Sequence, residues 1–99
     1  MKFDAKITRV FPEGNTKAAA DLTIDGAITI RGVMLVDGKN GIFVSYPRRT
    51  WKDREGNEKR TDIVYPVTKE VRDEIKHTVE SAYNVFIHKQ EEAEHGIAM

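Results

Sequence analysis

Six cationic side chains, Arg48, Arg49, Lys52, Arg54, Lys59 and Arg60, surround one tryptophan, Trp51, in the stretch RRTWKDREGNEKR. Guanidinium and ammonium groups bind phosphate oxygens, and an indole ring offers a flat surface on which a base stacks. These residue types at this density suit a grip on a nucleic-acid backbone. The same composition also makes a solvated loop with Trp51 folded back onto a sheet, and both readings stand at the level of sequence. Asp53, Glu55 and Glu58 dilute the positive charge, so moderate affinity is expected rather than indiscriminate coating of polyanions.

Other chemistries find less support. The chain has no cysteine, which removes disulfides, thiolate nucleophiles and thiolate metal sites. Neither a phosphate-cradling glycine loop before a helix nor a nucleophile elbow around Ser45 or Ser81 occurs. Asp62 and His77 are a conceivable acid/base pair, but nothing in the sequence gives them a pocket. His77, His88 and His95 recur near one face of a helix, yet at ~1.5 Å per residue they stand ~16 Å and ~10 Å apart along its axis, too far to share a metal. His88 with Glu91 or Glu92 and His95 makes at most an adventitious surface site. The expectation is therefore a non-enzyme with no cofactor, no metal and no small-molecule substrate.

The 16 basic and 16 acidic residues cancel, so attraction to a polyanion must come from uneven placement. Residues 48–66 hold six basic against four acidic side chains, while residues 67–99 hold four against seven. A basic middle is followed by an acidic tail. The absence of an apolar signal core after Met1, and of any long apolar run, predicts no membrane segment and a cytoplasmic protein.

The elements that must position these cations read as strands first and a helix last. Phe3, Ala5, Ile7 and Phe11 alternate with Asp4, Lys6 and Thr8, with Arg9 and Val10 blurring the pattern; Ala18, Ala20, Leu22 and Ile24 alternate with Lys17, Asp21 and Thr23. Asp25-Gly26 signals a two-residue hairpin. Ile28 and Ile30 then lie on even positions but Val33 and Leu35 on odd ones, which places a bulge at Gly32. A turn at residues 37–41 leads to a fourth strand over 42–46 that Pro47 ends or leaves at an edge, and Thr61–Tyr65 makes a short fifth. Thr68 is the expected N-cap of a helix over about 68–94, with Val71, Ile75, Val79, Ala82 and Phe86 as its apolar stripe and residues 91–99 as a frayed tail. The fold class is α+β: a meander of about five antiparallel strands followed by a long helix, in one domain.

With these elements placed, VDGKNGIFVSYPRR followed by RTDIVYPVTKEVRDEI resembles the signature of the stage V sporulation protein G family of bacterial septation and sporulation regulators. The shared pattern is Gly38, Asn40, Gly41, Phe43, Pro47 and a basic pair, then Asp62, Ile63, Pro66 and a helix start, and it covers most of residues 1–85. The resemblance implies a homodimer that binds DNA, and in some members RNA, to alter gene expression. It also implies nucleic-acid contacts near the helix start, so Lys69, Arg72 and Lys76 are expected to extend the basic patch. Tyr46, Arg48 and Tyr65 depart from the family pattern, as does the unusually long loop TWKDREGNEKRT. The rival reading is a protein-interaction module whose basic loop meets an acidic protein partner.

Overall fold

The computed structural model describes the backbone of residues 1–97 and the side chains of residues 1–90. Strands β1 (Phe3–Val10), β2 (Thr16–Ile24), β3 (Ile28–Gly38) and β4 (Gly41–Ser45) form one antiparallel sheet in chain order. β5 (Arg48–Lys52) and β6 (Glu58–Asp62) pair only with each other, and α1 spans Lys69–Ile97. The α+β class holds, but the expected fifth strand at 61–65 does not. Its place is taken by two arms of a separate ribbon, because Arg48–Lys52 finds its partner in Glu58–Asp62 and the chain leaves the ladder after Asp62.

Turn chemistry sets the sheet's order. Asp25 and Gly26 both take positive φ, 54° and 64°, and Ala27 completes a three-residue loop where the sequence suggested two. The Asp25 carboxylate accepts the Lys2 N–H at 2.7 Å, which ties the start of β1 to this loop.

Bulges correct the phase. Between the pairs Ala20↔Val33 and Leu22↔Ile30, Arg31 and Gly32 together oppose Asp21, and Gly32 sits at φ +80°. Val33, Leu35 and Ile30 therefore share the core face, as the change of parity requires. Ile28 shares that parity but stands at the first position of β3 and is 63% exposed, contrary to the expectation that it joins the core. A second shift between Ile7 and Arg9 explains the blurred end of β1. Val10 returns to the core face there, and Arg9 is left outside, 5.0 Å from the Phe11 ring centroid.

The core lies between the sheet and one face of α1. Leu22, Leu35, Val33 and Val79 are fully buried, joined by Ile7, Ala18, Ala20 and Ile75. Ala18 and Ala20, on the core face of β2, present only a methyl group, which lets the helix settle close to the sheet. α1 packs mainly on β1, with lesser contact to β2 and β4. Thr68 Oγ1 accepts the Val71 N–H at 3.2 Å and Thr68 O accepts the Arg72 N–H at 3.1 Å, so Thr68 is the N-cap expected. Val71, Ala82, Tyr83 and Phe86 extend the helix stripe over the core, whereas Val85 is 53% exposed. The backbone of α1 runs to Ile97, past the expected end near residue 94, and residues 98 and 99 of the expected frayed tail lie outside the described residues. No helix among the described residues is long and apolar enough to cross a membrane.

Candidate nucleic-acid interface

Pro47 separates the sheet from the ribbon. It lacks an N–H with which to continue the ladder, and its carbonyl instead accepts the Ile63 N–H at 2.9 Å, closing the base of the ribbon where the chain leaves β6. The far end is closed by Asp53. Its Oδ1 accepts the N–H groups of Glu55 and Asn57, each at 2.9 Å, while its own N–H reaches Asn57 O at 3.0 Å and Gly56, at φ +85°, donates to Asp53 O. This carboxylate is engaged with backbone amides as in an Asx-turn, whereas at the level of sequence it counted only as a charge that dilutes the cations.

All ten strand residues of the ribbon are exposed. Directly paired residues of an antiparallel ladder share a face, and successive residues alternate. Arg49, Trp51, Lys59 and Thr61 therefore occupy one face, and Arg48, Thr50, Lys52, Glu58, Arg60 and Asp62 the other. Arg48 is the most engaged cation: its Nε lies 3.3 Å from Asp62 Oδ1 and its guanidinium donates to Ser45 Oγ at 3.3 Å. Arg54 stands in the tip loop. Trp51 is 43% exposed and lies apart from the sheet core, so the ring is not folded back onto the sheet.

The helix cations form a second group. Arg72 and Lys76, one turn apart on α1, line a cleft of about 510 Å³ together with Tyr46, Asp62, Tyr65 and Asp73, and Asp62 belongs both to this cleft and to the ribbon base. Lys69 is exposed one turn earlier. Six of the nine cations thus stand on the ribbon and three at the helix start, and Asp62, paired with Arg48 and lining the cleft of Arg72 and Lys76, lies between the two groups. Within the cleft the Tyr46 hydroxyl is buried and has no hydrogen-bond partner among the described residues. Burial pushes its pKa above the ordinary tyrosine value of 10.0, and the positive charge of Arg72 pulls the other way. No group of three or more histidine or carboxylate side chains among the described residues has the placement of a metal site, and the set His88, Glu91 or Glu92, His95 falls partly outside them.

Comparison with known proteins matches the SpoVG family model to residues 1–85, which takes in both sheets and the first half of α1. A relative in Symbiobacterium thermophilum, named as a septation protein SpoVG, is 37% identical over 81 residues, covering 82% of this chain and 55% of its own length. This chain therefore spans about half of that longer protein. A relative of the same name in Caldicellulosiruptor saccharolyticus is 32% identical over 84 residues, 85% of this chain and 91% of its own. In Listeria monocytogenes, SpoVG 1 is 34% identical over 82 residues, 83% and 76% of the two chains. None of these names designates a reaction. The glycines of the β3–β4 turn, Pro47, Asp62 and Pro66 all lie inside the matched region, and with the model spanning most of the sequence the chain belongs to the SpoVG family.

Proposed function

We propose that this chain is a nucleic-acid-binding regulatory protein, acting as a homodimer on DNA or RNA in the control of gene expression linked to septation. The observation that supports it most is the ribbon: six cations on a hairpin whose strand residues are all exposed, in a chain whose charges as a whole cancel. A hairpin this exposed buries too little apolar surface to serve the core, so its composition is free to serve a surface contact. Arg72 and Lys76 extend the same reading toward the helix start. The septation link comes from the names of the relatives alone.

Dimerisation is supported by the two edge strands of the sheet, β1 and β4, and by Ile63, Tyr65 and Val67, which are 64%, 62% and 82% exposed in the segment between ribbon and helix. Two copies would double the ribbons and let two weak grips act together. Light scattering after size exclusion measures this directly, and a monomeric mass at micromolar concentration overturns it.

The binding test is a titration of mixed DNA and RNA fragments at several salt concentrations. The expected result is a steep fall of affinity with salt, and a log–log slope flattened by about two when Arg49 and Lys59 are both replaced by alanine, one for each phosphate no longer neutralised. Failure to bind any nucleic acid at low salt, or equal binding to polyglutamate, rejects the reading in favour of an acidic protein partner or none.

A further inference from the structure

We propose that the ribbon is one-sided, and that its Trp51 face is a platform on which an unpaired base of single-stranded nucleic acid stacks. This rests on the nucleic-acid reading above and specifies the form of the ligand. The two faces differ in charge balance as well as in composition. On the face of Arg48 and Arg60, three cations meet two carboxylates, and one pair is already closed at 3.3 Å. On the other face Arg49 and Lys59 flank Trp51, and Thr61 is the remaining strand residue, so neither strand contributes a carboxylate. A shallow groove of about 780 Å³ on this side is lined by Arg49, Trp51, Lys52, Thr61, Asp62 and Ile63, and its single carboxylate, Asp62, is the one already paired with Arg48.

The groove's chemistry favours one form of nucleic acid. In a duplex the faces of the bases are covered by their neighbours, and a protein meets phosphates and base edges. An indole reads edges poorly, since it has a single N–H donor and no acceptor. Its flat surface is useful against a base whose own face is open, and every unpaired base has one. Arg49, two residues from Trp51 on the same strand, and Lys59, directly across from it, are placed to take the phosphates on either side of a stacked nucleotide. Ile63, 64% exposed, continues the apolar strip toward the base of the ribbon. The face therefore presents a ring with one cation beside it along the strand and another across the ladder, which complements a polyanion that also exposes π surfaces.

Trp51 is the only tryptophan of the chain, so its own emission reports the contact without a label. The experiment titrates the full chain with single strands of thymidylate and of uridylate about 12 nucleotides long, and with a duplex of the same length. The expected result is tighter binding of the single strands, with quenching of tryptophan emission. Trp51→Ala should weaken single-strand binding about 5- to 100-fold, the worth of one base stack, and leave the salt slope unchanged because every phosphate-neutralising cation remains. Trp51→Phe should recover most of that affinity. Three results overturn the inference while leaving nucleic-acid binding intact: duplex binding as tight as single-strand binding, unchanged emission on binding, or equal weakening of both forms by Trp51→Ala. Polyglutamate reproducing the emission change overturns it as well. If neither nucleic-acid form binds at low salt, the broader reading falls and this one with it.

Discussion

Strand β2 has nine residues and the two strands of the β5–β6 ribbon ten between them, all in antiparallel ladders, yet no residue of β2 is exposed and every strand residue of the ribbon is. The difference follows from composition. Ala18, Ala20 and Leu22 give β2 an apolar face that packs in the core beneath the helix, whereas the ribbon alternates charged, hydroxyl and indole side chains that no packed layer would accept. The lesson is a division of labour: stability resides in the β1–β4 sheet and α1, and the ribbon, held mainly by its own ladder, Asp53 and the contact between Pro47 and Ile63, is free to be specialised for contact with another molecule. Substitutions should therefore separate the two properties.

The largest separation is expected at Leu22, whose side chain is fully buried. Leu22→Ala should cost about 2 to 5 kcal/mol of unfolding free energy, since the surrounding sheet and helix close only partly over the cavity. Urea denaturation measures the loss. The fraction that remains folded should keep the nucleic-acid affinity of the parent, and a large affinity change in that fraction would mean that core and ribbon are energetically coupled after all.

A smaller effect on the same side of the comparison is expected at Gly32. A Cβ there meets nothing within 4 Å, so the cost of Gly32→Ala comes from the backbone conformation alone, φ +80°, and should be about 1 to 2 kcal/mol. Gly32→Asn should cost less, because asparagine tolerates this region better. If alanine were harmless, the bulge would be able to relax, and the phase of Val33 and Leu35 would not depend on it.

On the ribbon side, Asp53→Ala removes the acceptor of two backbone N–H groups and should loosen the tip by about 1 kcal/mol. The expected signature is faster amide hydrogen exchange at Glu55 and Asn57 with an unchanged urea midpoint for global unfolding. A fall in that midpoint would show that the ribbon contributes to the stability of the whole.

The division was only partly legible in the sequence. Parity gave the core faces of β2 and β3, and the break at Gly32 gave the bulge, because burial on one side of a strand leaves a period-two imprint. The cap at Thr68 and the turn at Asp25 left equally local marks. The ribbon left none of that kind: with both faces in solvent, Arg48–Lys52 and Glu58–Asp62 have no hydrophobic alternation, so the apolar Ile63 and Val64 drew the strand assignment past its true end. Ion pairs across a ladder depend on register, which is why Arg48 and Arg49 read as equivalent until their partners, Asp62 and Thr61, were known. Tyr46 gave no sign at all, since a hydroxyl's lack of a partner is a fact about neighbours distant in the chain.

Tyr46 is also where the smallest effect is expected, and where its sign is most informative. Its hydroxyl is hydrated in the unfolded chain but buried without a partner among the described residues in the folded one. Removing it with Tyr46→Phe should leave stability unchanged near neutral pH or raise it by up to about 1 kcal/mol, unlike most changes at the edge of a core. The alkaline side provides an independent check. Burial raises the folded-state pKa above the ordinary 10.0, with Arg72 opposing, so over the interval above that value the folded chain holds a proton that the unfolded chain has released. The resulting contribution to stability is fully present below the unfolded value and is lost as pH rises toward and through the folded one. The parent should therefore lose stability above pH 10 faster than Tyr46→Phe, measured as urea midpoints at a series of pH values. Identical alkaline profiles would mean that the hydroxyl reaches water in solution, and that the cleft beside Arg72 and Lys76 is open at its floor.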